Sequence, residues 1–225
     1  MQAAETLGPA YDSILVDEGA DFPATWWLAL EALGRPGFRW HCFYDLNQRL
    51  YWHGEADWQP PFAADVMELD CNLRNTRPVG GLAAQLGRCA NAREYRVADG
   101  PAPVRLACTD FEDMARQLRK QLRVLTVNER IAPENILVLS PYKHTNAQSV
   151  WAKGLDEVTV SADWRAEKGK VRVGTIQGFK GLEADVVILA GITPQALTHP
   201  DWMYVGASRA RVLLVMLHAG EYAPV

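Results

Sequence analysis

Four polar side chains and a glycine crowd into a short turn between two apolar runs. Thr175, Gln177, Lys180, Gly181 and Glu183 separate the run at 171–173 from the run at 186–189. A hydroxyl, an amide, an ammonium and a carboxylate between two buried strands suit contact with a nucleotide or its phosphates. Gly181 adds a point where backbone can approach a ligand closely. A second candidate lies at Asp17 and Glu18, where an apolar run at 14–16 ends. A carboxylate at a strand end can hold magnesium through water, and its neighbour can orient or deprotonate an attacking water. The same pair also fits a solvated strand end. Tyr51 and Trp52 follow a polar stretch and are candidates for stacking on bases of single-stranded nucleic acid, or for core packing.

These groups need a scaffold, and the pattern supplies one. Apolar runs at 13–17, 40–45, 66–69, 104–108, 136–139, 171–173, 186–189 and 212–217 read as strands. Helical periodicity separates several of them. Pro23 opens a helix over 23–33, with Gly34 just past its end. Another helix runs over 78–89. Thr109 followed by Glu112 predicts a capping box, behind which Phe111, Met114, Ala115, Leu118, Leu122 and Leu125 repeat at helical spacing. Strands alternating with helices predict an α/β fold, a mostly parallel sheet with helices on both faces. The simplest boundary divides 1–75 from 76–225.

Composition narrows the class. Hydrophobic residues make up 48% of the 225, which excludes a disordered tail. No apolar run is long enough to span a bilayer and the N-terminus lacks a secretory pattern, so a cytoplasmic protein without membrane partners is expected. Cys42, Cys71, Cys89 and Cys108 are too dispersed for a structural zinc site and read as buried thiols. Twelve acids against three bases give residues 1–70 a charge of −9, while fifteen acids against twenty bases give 71–225 a charge of +5. The basic part could hold nucleic-acid phosphates or be an ordinary solvated surface.

Five segments, in order, resemble motifs of the superfamily 1 DNA helicases of the UvrD/Rep type. The turn described above resembles T-x-H-x-x-K-G-L-E-x-D, with Gln177 in place of histidine. Asp17, Glu18 and Asp21 match D-E-A-Q-D, with Ala20 where the family has glutamine. Asp45, Gln48 and Tyr51 match G-D-x-x-Q-x-I-Y, with Tyr44 for the glycine; Trp52 is one residue out of register with the family's second aromatic. Leu69, Asn72 and Arg74 match L-x-x-N-Y-R-S, and Tyr204, Val205 and Arg209 match Y-V-A-x-T-R-A, with Ser208 for threonine.

The resemblance implies a P-loop NTPase, RecA-like helicase fold. Residues 1–75 would be the end of the first such domain, itself incomplete, and 76–225 the second. It implies ATP and Mg2+ as cofactors, hydrolysis at an interdomain cleft, and coupling to translocation on single-stranded DNA. Asp17 would hold the metal, Glu18 activate water and Gln48 sense the γ-phosphate. Arg74 and Arg209 would reach that phosphate from the second domain, with Glu183 on the nucleotide sugar. Thr175, Gln177, Tyr51 and Trp52 would face DNA. No G-x-x-x-x-G-K-[ST] loop occurs in the sequence. The chain therefore reads as the C-terminal part of such an enzyme, inactive and without tightly held cofactor unless joined to the missing N-terminal ATPase segment. A non-catalytic helicase-like module binding nucleic acid or protein is the alternative. A metal-dependent nuclease using Asp17, Glu18 and Asp21 would leave the other four segments unexplained.

Overall fold

Strands β5 to β10 form one six-stranded sheet in which every neighbouring pair is parallel. They span Val104–Cys108, Ile136–Ser140, Val160–Ser161, Val171–Thr175, Ala184–Ile192 and Ala210–Ala219. Their order across the sheet is β5-β10-β9-β6-β8-β7. The computed structural model describes residues 8–51, 58–146 and 149–220. The chain divides into two compact units, Met1–Leu69 and Asp70–Val225, and this sheet belongs to the second.

Alternation explains the layers. Ile136, Val138, Val171, Val173, Val186, Ile188, Val215 and Leu217 share a core with Met114, Leu118 and Leu122 of helix α3 (Phe111–Arg123) and with Trp151. The intervening residues Leu137, Leu139, Val187, Leu189, Leu214 and Met216 are also fully buried, on the other face. There α4 (Pro200–Ser208) packs on β9 and β10, and α2 (Arg77–Gly87) packs on α4 and β10. A sheet buried on both faces needs continuous apolar strands, as β6 and β9 are.

Of the residues at helical spacing, Met114, Ala115, Leu118 and Leu122 of α3 and Leu125 in the turn after it are at most 3% exposed, while Phe111 at the start is only partly buried. The cap of α3 is one residue later than the pattern suggested. Asp110 is the N-cap, its Oδ1 accepting from the Asp113 N–H at 2.7 Å, and Asp113 Oδ2 accepts from the Thr109 N–H at 3.0 Å. Aspartate is the stronger cap here. Glu112 instead accepts from Lys153 Nζ at 2.9 Å.

The first unit holds β1 (Tyr11–Val16), α1 (Ala24–Glu31) and β2 (Gly34–Cys42). The two strands are parallel neighbours. Gly34 begins β2 rather than ending the helix, and the strand expected at 40–45 starts earlier and stops at Cys42. Trp27 fixes the small core: its ring meets Phe22, Trp40, Trp58 and Phe62, and Trp40 stacks on Phe62 at 4.9 Å. No strand forms at 66–69. Val66, Met67 and Leu69 are 74%, 85% and 82% exposed, because an apolar run becomes a strand only where a neighbour accepts its hydrogen bonds. Two short strands, β3 (Cys71–Asn72) and β4 (Glu94–Tyr95), pair in parallel in the second unit. Of the cysteines only Cys108 is fully buried, and burial pushes its thiol up to about 11. No helix among the described residues is long and apolar enough to cross a membrane.

The hydrogen bond from the Thr109 N–H holds the Asp113 carboxyl below its ordinary value of 3.8, with Arg116 reinforcing it. A lowered carboxyl stabilises the fold above its unfolded pKa, and that contribution is lost as pH falls through the folded one. Asp113→Asn is expected to flatten the acid limb of stability against pH below about 4, with little change in that limb's slope at neutral pH. Urea titrations from pH 7 to 3 check this.

Candidate functional site

The turn after β8 crosses from one end of the sheet to the other. Thr175 pairs in register with Ser140 at the carboxyl end of β6, whereas Val186 pairs with Ile136 at its amino end. Four strand residues, about 13 Å, separate those two levels, and Glu183 precedes Val186, so it lies at the opposite end of the strands from Thr175. The sheet itself separates the two groups of candidate residues.

At the carboxyl end, Thr175 Oγ1 accepts from the Gly178 N–H at 3.0 Å, which closes the single turn Gln177–Phe179. Gln177 is half-buried beside it. Gly181 has φ +82° and open space around its Cβ position. The backbone there is left-handed, which glycine adopts without the cost of about 1–2 kcal/mol other residues incur.

At the amino end the guanidiniums of Arg74 and Arg211 meet the carboxylates of Glu183 and Asp185, while Arg172 and Arg209 bond backbone carbonyls of the same turn. Arg74 Nε lies 3.0 Å from Glu183 Oε2, and Arg211 Nε lies 3.7 Å from Glu183 Oε1. Arg211 Nη1 is also 3.8 Å from Asp185 Oδ1. Arg172 Nη2 donates to the Glu183 carbonyl at 3.1 Å; burial lowers the pKa of this guanidinium while Asp185 opposes the shift. Arg209 is 1% exposed. Its Nε donates to Val205 O at 3.1 Å, its Nη1 to Leu182 O at 3.3 Å and its Nη2 to Ser208 Oγ at 3.1 Å. The structure therefore brings Arg74 and Glu183 into direct contact, and places Arg209 behind them as a buried brace for the turn.

A buried amide holds the two arginine segments together. Asn75 is 4% exposed. Its Nδ2 donates to Ser208 O at 2.9 Å and Ala210 O at 2.6 Å, while its Oδ1 accepts from Asn72 Nδ2 at 3.0 Å. The Thr76 N–H donates to Arg211 O at 2.9 Å. Sequence reasoning passed over Asn75, Arg172 and Arg211. Only the second arginine of S-R-A-R, two residues past Arg209, could have signalled the last of these.

In the first unit Asp17 is exposed at the end of β1, and its Oδ1 accepts from the Glu18 N–H at 2.9 Å. Glu18 takes a left-handed backbone with φ 53°. Such a conformation costs a non-glycine residue about 1–2 kcal/mol and is retained most often where a side chain must be aimed. Gly19 follows because a Cβ there would sit 2.4 Å from Cys42 Sγ. Ala20 is buried at 3%. Gln48 Nε2 donates to Asp45 Oδ2 at 2.7 Å. Tyr51 is 61% exposed, and Trp52 lies outside the described residues. No group of three or more metal-ligating side chains occurs among the described residues. Asp17 alone fits magnesium that arrives already hydrated and bound to phosphates, the usual habit of that ion, and not a metal centre made of protein ligands. The arginine cluster fits the phosphates of a nucleotide.

A six-stranded parallel sheet with this flanking is the fold of a helicase C-terminal domain. It aligns with the C-terminal domain of a possible DNA helicase from Lactobacillus plantarum WCFS1 at TM-score 0.50 and 20% identity, over 68% of this chain and 90% of that one. Residues 170–217 match the family of UvrD-like helicase C-terminal domains, so the chain carries that family's sequence pattern across β8, β9, α4 and β10. The arterivirus nonstructural protein 10 helicase is also similar, with TM-score 0.48 and 16% identity over 94% of this chain and 40% of that one. No curated protein matches the chain.

Replacing Asn75 by alanine strips a buried donor from two carbonyls, Ser208 O and Ala210 O. A loss of about 1–3 kcal/mol in unfolding free energy is expected, measured by urea denaturation. Asn72→Ala, at the partly buried end of the same network, is expected to lose less.

Proposed function

We propose that the chain is the C-terminal portion of an ATP-dependent DNA helicase, which couples ATP hydrolysis to movement along single-stranded DNA. The observation that carries this is the bridge between Arg74 and Glu183 at 3.0 Å, joining two motifs more than a hundred residues apart in sequence. A helicase-type sheet and the UvrD-like pattern over 170–217 support it. In this proposal the second unit supplies guanidiniums, Arg74 and Arg209, that stabilise charge on the transferring phosphate, while Gly181 and Glu183 hold the nucleotide. The first unit supplies Asp17 for Mg2+, Glu18 for the attacking water and Gln48 to sense the γ-phosphate. Bound magnesium would neutralise charge on the phosphate oxygens. Thr175 and Gln177, at the far end of the sheet, would meet the DNA backbone together with Tyr51 and Trp52.

A second reading has specific support. The sequence lacks the lysine-bearing phosphate loop, and Ala20 stands buried where the helicase motif has a glutamine. Both features favour a helicase-like module that binds nucleic acid or a partner without turnover.

The two readings share one expectation and differ in another. The purified chain is expected to show no DNA-stimulated ATPase above background, because the main partners of the β- and γ-phosphates are missing. Turnover abolished by Glu18→Gln would overturn this. Joined to a segment bearing the phosphate loop, the helicase reading expects turnover and the module reading none. Single-stranded DNA is expected to bind at about 1–100 μM near physiological salt and to weaken steeply as salt rises. Fluorescence anisotropy at several salt concentrations tests it.

A further inference from the structure

We infer that a cleft beside α1, in the first unit, binds a small alkylated ammonium ion, through residues that the proposed helicase chemistry does not use. The cleft holds about 210 Å³, less than the roughly 300–1,000 Å³ of sites for drug-sized ligands. Its lining includes Leu28 and Glu31 of α1, Trp40 of β2, and Pro61 and Phe62, with Trp27 from the small aromatic core. Trp40 and Phe62 stack with their planes 4° apart. Trp27 stands at 63° to the first and 61° to the second, with ring centroids 5.7 and 5.8 Å away. Aromatic surface therefore runs in two directions, which suits a compact, rounded ligand.

Three observations set the charge of that ligand. Glu31 is the one charged side chain in the lining; it is exposed, and its carboxylate has no ion pair or hydrogen bond among the described residues. Glu31 also ends α1, whose last turn carries no basic residue, so the partial negative charge of the helix C-terminus is uncompensated there. The wider setting is acidic, with twelve acids against three bases over residues 1–70. A phosphate is repelled by such surroundings and a cation is drawn to them.

The rest of the lining sets the kind of cation. A primary ammonium or a guanidinium brings several N–H donors. Apart from the Glu31 carboxylate, the lining side chains offer no oxygen to receive them. Entering the cleft would strip water from donors that find no acceptor, which is costly. An ammonium whose hydrogens are replaced by methyl groups has no such donors. Its charge lies beneath an apolar shell that packs on the rings, and the ring quadrupoles attract it.

Choline, titrated into the full chain at constant ionic strength and followed through tryptophan indole N–H NMR signals, tests the assignment. The Trp27 and Trp40 signals are expected to shift saturably, while those of Trp164 and Trp202 in the second unit stay. The neutral carbon isostere of choline, with a tert-butyl group in place of the trimethylammonium, is expected to bind about tenfold more weakly, as the cation–π attraction is lost. Ethanolamine, the primary-ammonium counterpart, is expected to bind more weakly than choline as well. Glu31→Gln is expected to weaken choline about fivefold, to leave the neutral isostere unaffected, and to leave Tm unchanged, because the exposed carboxylate has no partner to lose. Equal binding of choline and its neutral isostere, or choline binding unaffected by Glu31→Gln, overturns the inference. Ethanolamine binding as tightly as choline overturns the choice of an alkylated ion. No saturable shift of the Trp27 and Trp40 signals removes the site.

Discussion

A guanidinium cannot be buried without partners, and the partners found by Arg209 organise the whole amino edge of the large sheet. They include the carbonyl of Leu182 in the turn before β9 and, from α4, the carbonyl of Val205 and the hydroxyl of Ser208. The Ala184 N–H returns to Arg209 O at 3.1 Å, so the turn and the helix end are fastened in both directions. Glu183 lies between these two fastenings. Its carboxylate is aimed by the backbone around it, which leaves the side chain free to meet Arg74 and Arg211.

Parallel pairing gives this edge its counterpart at the other end. A parallel connection must travel the length of the sheet before the next strand begins. The polar turn between β8 and β9 makes that journey, so its first residues, Thr175 and Gln177, and its last, Glu183, cannot share a site. Two sets of polar groups that are neighbours in sequence are thereby exposed to two different surroundings. Sheet topology alone produces this separation.

The first unit is stabilised differently. A two-stranded parallel sheet offers little hydrogen bonding, and most of its burial comes from Trp27 and the rings around it. The left-handed Glu18 and the tight approach of Gly19 to Cys42 are held at the end of β1 by this cluster.

Much of this was legible in the residues. The apolar runs gave the strands of the parallel sheet, the helical spacing gave the buried stripe of α3, and the helicase-like segments pointed to the fold that the comparison shares. These signals are local: periodicity of two or 3.6 residues, or a short motif, survives in any one stretch of chain. What tertiary structure alone decided depends on distant partners. The run at 66–69 is as apolar as a strand yet forms none, because pairing requires a neighbour that the sequence does not name. Arg209 and Arg211 have the same side chain two residues apart; one is buried on carbonyls and the other faces solvent, because the helix ends and the strand begins between them. Asn75 carries no motif signature of its own, and only folding brings its amide to the carbonyls of Ser208 and Ala210. Residue types and spacing determined which groups could do chemistry; the desolvation and hydrogen bonding of each group, set by chain segments far away, decided which of them are locked in the interior and which face solvent.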